Sequence, residues 1–220
     1  MLKHPAAPYV APFLVFVAFL ALGDALSLGE WEFPFRIAVL GAVIWYFSRS
    51  VLDFRAPYWL ASVAVGVAVF VLWVAPDALI PGYRQHWLFS NSITGKATSS
   101  LPEGFHMSAF VLLFRTLRAV IIVPIVEELF WRGWLLRWLI DNDFRKVPLG
   151  AWSFSSFAIT SLLFASEHGP YWEVGLIAGA IYNLWIVRTK SLGDCILAHA
   201  VTNAVLCGYI ILAGKWEYWL

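Results

Sequence analysis

The stretch from Val123 to Leu136, VPIVEELFWRGWLL, sets two glutamates and an arginine in a segment otherwise apolar enough to lie in a bilayer. Ionisable groups in hydrocarbon are costly and mark functional sites. At about 100° per residue, Glu128 and Arg132 (i, i+4) share a helix face and can pair. Glu127 points about 100° away from Glu128 and about 140° away from Arg132, so its carboxylate is left for chemistry. Two more apolar segments carry polar groups: His168 in one, and His199 with Asn203 (i, i+4, one face) in the other. Together, a carboxylate, two imidazoles and an amide supply a base, a water-orienting group and oxyanion donors, the parts needed to hydrolyse an amide. Singly, each has a plainer account: a charged helix end at the interface, a satisfied terminal histidine, or hydrogen-bonding glue between helices.

These residues must be positioned by membrane helices. Of 220 residues 61% are hydrophobic and 13% charged, against about 25% charged in a soluble domain, and the mean hydropathy is +0.75. The composition defines an all-α, multi-pass transmembrane helical bundle of about seven to eight helices, read as one domain over 1–220 with the motif-bearing core at about 105–213. A net charge of +1 gives no sign of nucleic-acid binding. Cys195 and Cys207 are separated by about 18 Å of helix, too far for a mutual disulfide.

The expected spans are 9–28, 33–48, 57–75, 119–140, 149–166, 171–187 and 191–213. A basic start at Lys3 and His4 with small residues near Ala25 also resembles a signal peptide, and Asp24 marks the far end of this first run. Pro76 and Pro81-Gly82 should end the third span. Residues 82–104 read as an extramembrane loop, with His86 and His106 in or beside it as solvated histidines. Residues 105–118, with Arg115 and Arg118 on one face, are expected either along the interface or as an eighth crossing. Pro124 should kink the next helix and free backbone carbonyls just before the glutamates. With seven spans and the N-terminus inside, the inner loops hold eight basic residues (Lys3, Arg49, Arg55, Arg137, Arg145, Lys146, Arg188, Lys190) against four outside (Arg36, Arg84, Lys96, Lys215), or six if Arg115 and Arg118 are added. The positive-inside rule favours that orientation modestly. It leaves a depth mismatch: Glu127 and His168 fall toward the outer ends of their helices, and His199 toward the inner end of its own.

Three motifs occur in order: EExxxR as Glu127-Glu128-Leu-Phe-Trp-Arg132, FxxxH as Phe164-Ala-Ser-Glu-His168, and HxxxN as His199-Ala-Val-Thr-Asn203. In this the chain resembles the CAAX protease and bacteriocin-processing enzyme family of intramembrane endopeptidases, related to the type II CAAX prenyl endopeptidase. It also looks like the short bacterial branch labelled prenyl-protease-related. The resemblance implies that Glu127 is the general base, that His168 helps hold the water, that His199 and Asn203 stabilise the oxyanion, and that Glu128 and Arg132 form a structural pair. Trp131, Trp134 and Trp138 follow Glu127 on nearly the same face and would dry the site, or else pack against lipid.

A metal-free, glutamate-activated hydrolysis with no cofactor is the favoured mechanism. The alternative is a zinc site built from Glu127 or Glu128 with His168 and His199. A non-catalytic membrane protein, binding, transporting or conferring immunity, stays open as a different class. The implied partners are the lipid bilayer and a peptide or protein substrate reached from the membrane, lipidated substrates among them. The implied location is a bacterial inner (cytoplasmic) membrane.

Overall fold

Each apolar run becomes a helix because a bilayer offers backbone groups no partner but their own chain. The structure is a computed structural model that describes residues 4–22 and 28–219. Lys3, Asp24 and Ala25, used above for the first run, lie outside the described residues. The helices are α1 (Ala7–Leu22), α2 (Glu32–Ser48), α3 (Trp59–Leu79), α4 (Ala109–Trp138), α5 (Phe154–Ser166), α6 (Trp172–Thr189) and α7 (Leu192–Ala213). Among the described residues there is no strand, only an isolated bridge between Asn91 and Gly95. The described residues are therefore all-helical, with seven helices. Three of them, α3, α4 and α7, are long and apolar enough to cross a membrane, while α1 and α5 are shorter apolar helices.

Three boundaries differ from expectation, the first being that α5 begins at Phe154 rather than at 149. Pro76 lies inside α3, which runs on to Leu79; a proline so near a C-terminus costs little, because few further ladder bonds remain to be lost. Residues 105–118 do not form a separate interfacial or crossing helix. From Ala109 they continue without a break into the glutamate segment as one 30-residue helix, about 45 Å long.

That long helix is not α throughout. Residues Arg118–Ile122 and Leu129–Leu135 are π-helical and flank the α turn Val123–Glu128 that carries both glutamates. In the first π segment the Val123 N–H reaches back five residues to the Arg118 carbonyl. The next carbonyl in that pattern, of Ala119, would need the N–H of residue 124, which is proline and has none. The Asn203 side chain of α7 supplies the missing donor, its Nδ2 lying 2.8 Å from the Ala119 oxygen. The carbonyl expected to be freed at Pro124 is thus used to tie α7 to α4.

Connecting segments collect at two ends. At one end Tyr9, Asp53, Arg55, Leu149 and Lys190 line a common depression, and the buried Asp194 carboxylate accepts from Tyr58 N–H (3.1 Å) and Ser62 hydroxyl (2.7 Å). At the other end Arg84 bridges Asp77 (3.0 Å) and Glu173 (2.7 Å), and the Ser100 N–H donates to the Trp219 carbonyl. His86 is exposed as expected, whereas His106 stacks on Trp216 with ring centroids 4.3 Å apart. The two cysteines are free and buried.

α7 packs along α3 and also meets α4 and α6. The α3–α7 approach depends on Gly66, where an added Cβ would lie 2.4 Å from the Ala198 carbonyl oxygen and 2.8 Å from Val201 Cβ. Backbone cannot yield as a side chain tip can. Gly66→Ala is expected to destabilise by about 1–3 kcal/mol through overpacking, read as a lower melting temperature in detergent. An unchanged melting temperature would show that the two helices do not approach so closely.

Candidate active site

Glu128 is fully buried, and so is Arg132, four residues on. Arg132 Nη1 lies 3.0 Å from Glu128 Oε1, the pairing expected from the spacing. Two further guanidinium donors are satisfied by α6: Nε donates to Asn183 Oδ1 (3.0 Å) and Nη2 to the Gly179 carbonyl (3.1 Å). The cation also lies 4.7 Å from the centre of the Phe164 ring, on its face. A buried pair held this way has its charge compensated, while Glu128 Oε2 is reached by no hydrogen bond from a described residue.

Glu128 does more than hold Arg132. Its Oε1 is 2.9 Å from His199 Nδ1, so the carboxylate fixes the ring with Nδ1 as donor and leaves Nε2 facing Glu127, whose Oε2 is 4.0 Å away. Tyr182 stacks on the same imidazole at 5.1 Å. Its hydroxyl donates to Thr202 (2.7 Å), which in turn donates to the Gly66 carbonyl (2.8 Å). The orientation of His199 is therefore built from α3, α4, α6 and α7. No local spacing indicates that one histidine would stand between two adjacent glutamates.

Glu127 is 6% exposed, and no hydrogen bond from a described residue reaches its Oε2. A buried carboxylate oxygen in that condition needs water or a ligand. It lines a cavity of about 240 Å³ together with His168, His199 and Asn203, so four sequence-selected residues from three segments meet at one cavity. His168 sits just past the end of α5, its Nδ1 2.8 Å from the Phe164 carbonyl and its ring edge-on to Trp73 of α3 at 5.1 Å. α5 has only 13 residues, about 20 Å of helix against a hydrocarbon core of about 30 Å. So short a helix can leave one end below the surface, and His168, just past its last residue, borders the same cavity as Glu127 and His199.

His199 and Asn203 share a face but have separate duties, His199 toward the glutamates and Asn203 toward Ala119. The tryptophan stripe is not where α-helical phase would place it. Trp131, Trp134 and Trp138 are absent from the cavity lining; Trp134 and Trp138 stack on each other beside Pro5 and Phe144. The π segment Leu129–Leu135 shifts the angular count that put them above Glu127. The aromatic walls are instead Trp73, Phe164, Tyr171 and Tyr182. Glu167, which no motif assigns a role, also lines the cavity beside His168. An ionisable residue next to a motif histidine was the signal available.

Among the described residues no three of His, Cys, Asp and Glu are arranged to hold a metal ion. The alternative zinc set, Glu127 or Glu128 with His168 and His199, is not among such groups in this arrangement.

A membrane-spanning helical bundle with a buried acid–histidine cluster at a cavity walled in part by aromatic rings is the class that fold and site define. Residues 109–205 match the family model described as Type II CAAX prenyl endopeptidase Rce1-like, so the likeness to the CAAX protease family read from three short motifs stands over that stretch, somewhat under half of the chain. The family is one of proteases acting within membranes. No curated protein and no solved structure matches the chain.

Proposed function

We propose that the chain is an intramembrane endopeptidase of the glutamic type, in which Glu127 activates water for attack on a peptide carbonyl. The observation that carries this is the buried Glu127 Oε2, reached by no hydrogen bond from a described residue and facing the cavity 4.0 Å from His199 Nε2. A water between these two atoms would give its proton to Glu127 as it attacks. His168 borders the same space and would hold the water or the carbonyl. Glu127, having taken the water proton, would hand it on to the leaving amine, and His199, oriented by Glu128 through Nδ1 and in its imidazolium form, would donate from Nε2 to the oxyanion. The second Asn203 amide proton remains for the oxyanion after the first is spent on Ala119.

Phe16, Leu20, Val69 and Trp73 give the cavity an apolar wall, which suits a peptide or protein substrate entering from the bilayer, lipidated ones included. The reading carries with it a place in a bacterial cytoplasmic membrane and no cofactor. Purified protein should keep its peptide-cleaving activity in EDTA. Complete loss restored by Zn²⁺ would remove the metal-free mechanism and return the zinc set.

A further inference from the structure

Charge does not balance at the acidic end of the cavity. Glu128 is matched by Arg132, and Glu127 faces His199, which carries the balancing charge as imidazolium. Glu167 lines the same cavity and finds no such counterpart among the described residues. Arg132 acts on it only from a distance, since its hydrogen bonds go to Glu128, Asn183 and the Gly179 carbonyl. The neighbouring His168 spends its Nδ1 on the Phe164 carbonyl. The Trp131 indole N–H approaches the Glu167 carboxylate yet closes no hydrogen bond of ordinary geometry. Position adds to the cost. Glu167 is the C-cap of α5, where the helix dipole disfavours an anion, and it is close enough to Glu127 for the two carboxylates to repel. Beside it Glu127, 6% exposed, has an Oε2 that no described residue reaches with a hydrogen bond. An anion kept where local rules oppose it marks a functional position, and Glu167 has the solvent access that a ligand needs.

We propose that Glu167 is a specificity-determining residue that receives a basic side chain of the substrate, lysine or arginine, close to the bond to be cut. This rests on the endopeptidase reading of Glu127. An ammonium or guanidinium at this point supplies the missing positive charge and gains a charge-assisted bond to the carboxylate. Glu167 adjoins His168 in the chain, and consecutive Cα atoms lie about 3.8 Å apart, so the cation sits within about two residues of the attacked carbonyl. A neutral side chain offers no such bond, and an acidic one would bring a further carboxylate to a place that already holds an unmatched one.

The test uses the full chain in detergent and apolar decapeptides that are N-acetylated and C-amidated, so that one lysine, placed at each position in turn, is the sole charge. Matching peptides carry acetyl-lysine or glutamate at that position. Cut sites are mapped by mass spectrometry. Each protein is scored by its ratio of kcat/KM for lysyl over acetyl-lysyl peptide, so that a general change in activity cancels. Peptides retained by Glu127→Gln protein are counted in parallel with those retained by Glu127→Gln/Glu167→Gln protein. Wild type should prefer lysine about tenfold where it lies within about two residues of the cut. Glu167→Gln should bring the ratio to about one, and Glu167→Lys should favour the glutamate peptides instead. A ratio of about one in wild type, or a preference that survives Glu167→Gln, overturns the subsite and leaves the peptidase standing. So does an equal loss on both peptides in Glu167→Gln, which would place Glu167 in the chemistry. Lysine-dependent retention that needs Glu167, without cleavage of any peptide, keeps the subsite and removes the peptidase reading. Neither cleavage nor lysine-dependent retention overturns both.

Discussion

Glu127→Gln is expected to lower peptide cleavage by roughly 10²–10⁴-fold or more while expression and melting temperature stay near wild type. The amide keeps the shape of the side chain, and no hydrogen bond from a described residue to Oε2 is there to be broken, but a glutamine accepts no proton. The sign of the pH dependence follows from the same role. A general base works only when ionised, so wild-type activity should rise with pH through the titration of Glu127, and that ascending limb should be missing from the residual activity of the variant. Cleavage rate, melting temperature and pH profile on one preparation decide the matter. Undiminished biological function in Glu127→Gln would remove the protease reading and leave a binding, transport or immunity protein. Loss of folding would make Glu127 a packing residue.

The other large effect is expected at Glu128, where stability and activity should fail together. Glu128→Ala strands Arg132 in a site with no solvent exposure, and removing one member of such a pair costs roughly 3–5 kcal/mol. It also takes from His199 the carboxylate 2.9 Å from its Nδ1. Replacing both partners, as in Glu128→Leu/Arg132→Met, should be milder for folding, though Asn183 and the Gly179 carbonyl lose their guanidinium. Activity should not return with it. His199→Ala should cost roughly 10²–10³-fold by analogy with the loss of an oxyanion donor, and its effect should be less than additive with that of Glu128→Leu/Arg132→Met, because the carboxylate acts through the ring. Melting temperatures in detergent and cleavage rates for the four proteins separate these terms. A harmless Glu128→Ala would mean that the pair is not formed.

Much of this was readable from residue type and spacing. Apolar runs bounded by Arg, Pro and Gly located α2, α6 and α7 to within two residues and α3 and α5 to within five, because bilayer length and backbone satisfaction leave a chain little choice. The Glu128–Arg132 pair followed from i, i+4 geometry, which survives where the helix changes from α to π between the two residues. Three things were not readable. The continuity of 109–138 was hidden because its length exceeds a simple span. The tryptophan stripe failed because the 100° count assumes a uniform helix, and Leu129–Leu135 is not one. The position of His199 between both glutamates depends on how four helices cross, which no local spacing encodes.

The π segments of α4 have a consequence for chain length. Each holds one residue more than the α turn it replaces, so α4 carries surplus sequence on either side of its glutamates. Removal of one residue beyond Arg132, such as the half-buried Trp134, can be absorbed by reversion of Leu129–Leu135 to ordinary α geometry, with Glu127, Glu128 and Arg132 left in place. The same loss between His199 and Asn203 in α7, which is α-helical from Leu192 to Ala213, has no such reserve: it turns one of the two residues by about 100° and parts either the imidazole from Glu128 or the amide from Ala119. The helix that bears the base can change length by one residue, and the helix that bears its partner cannot.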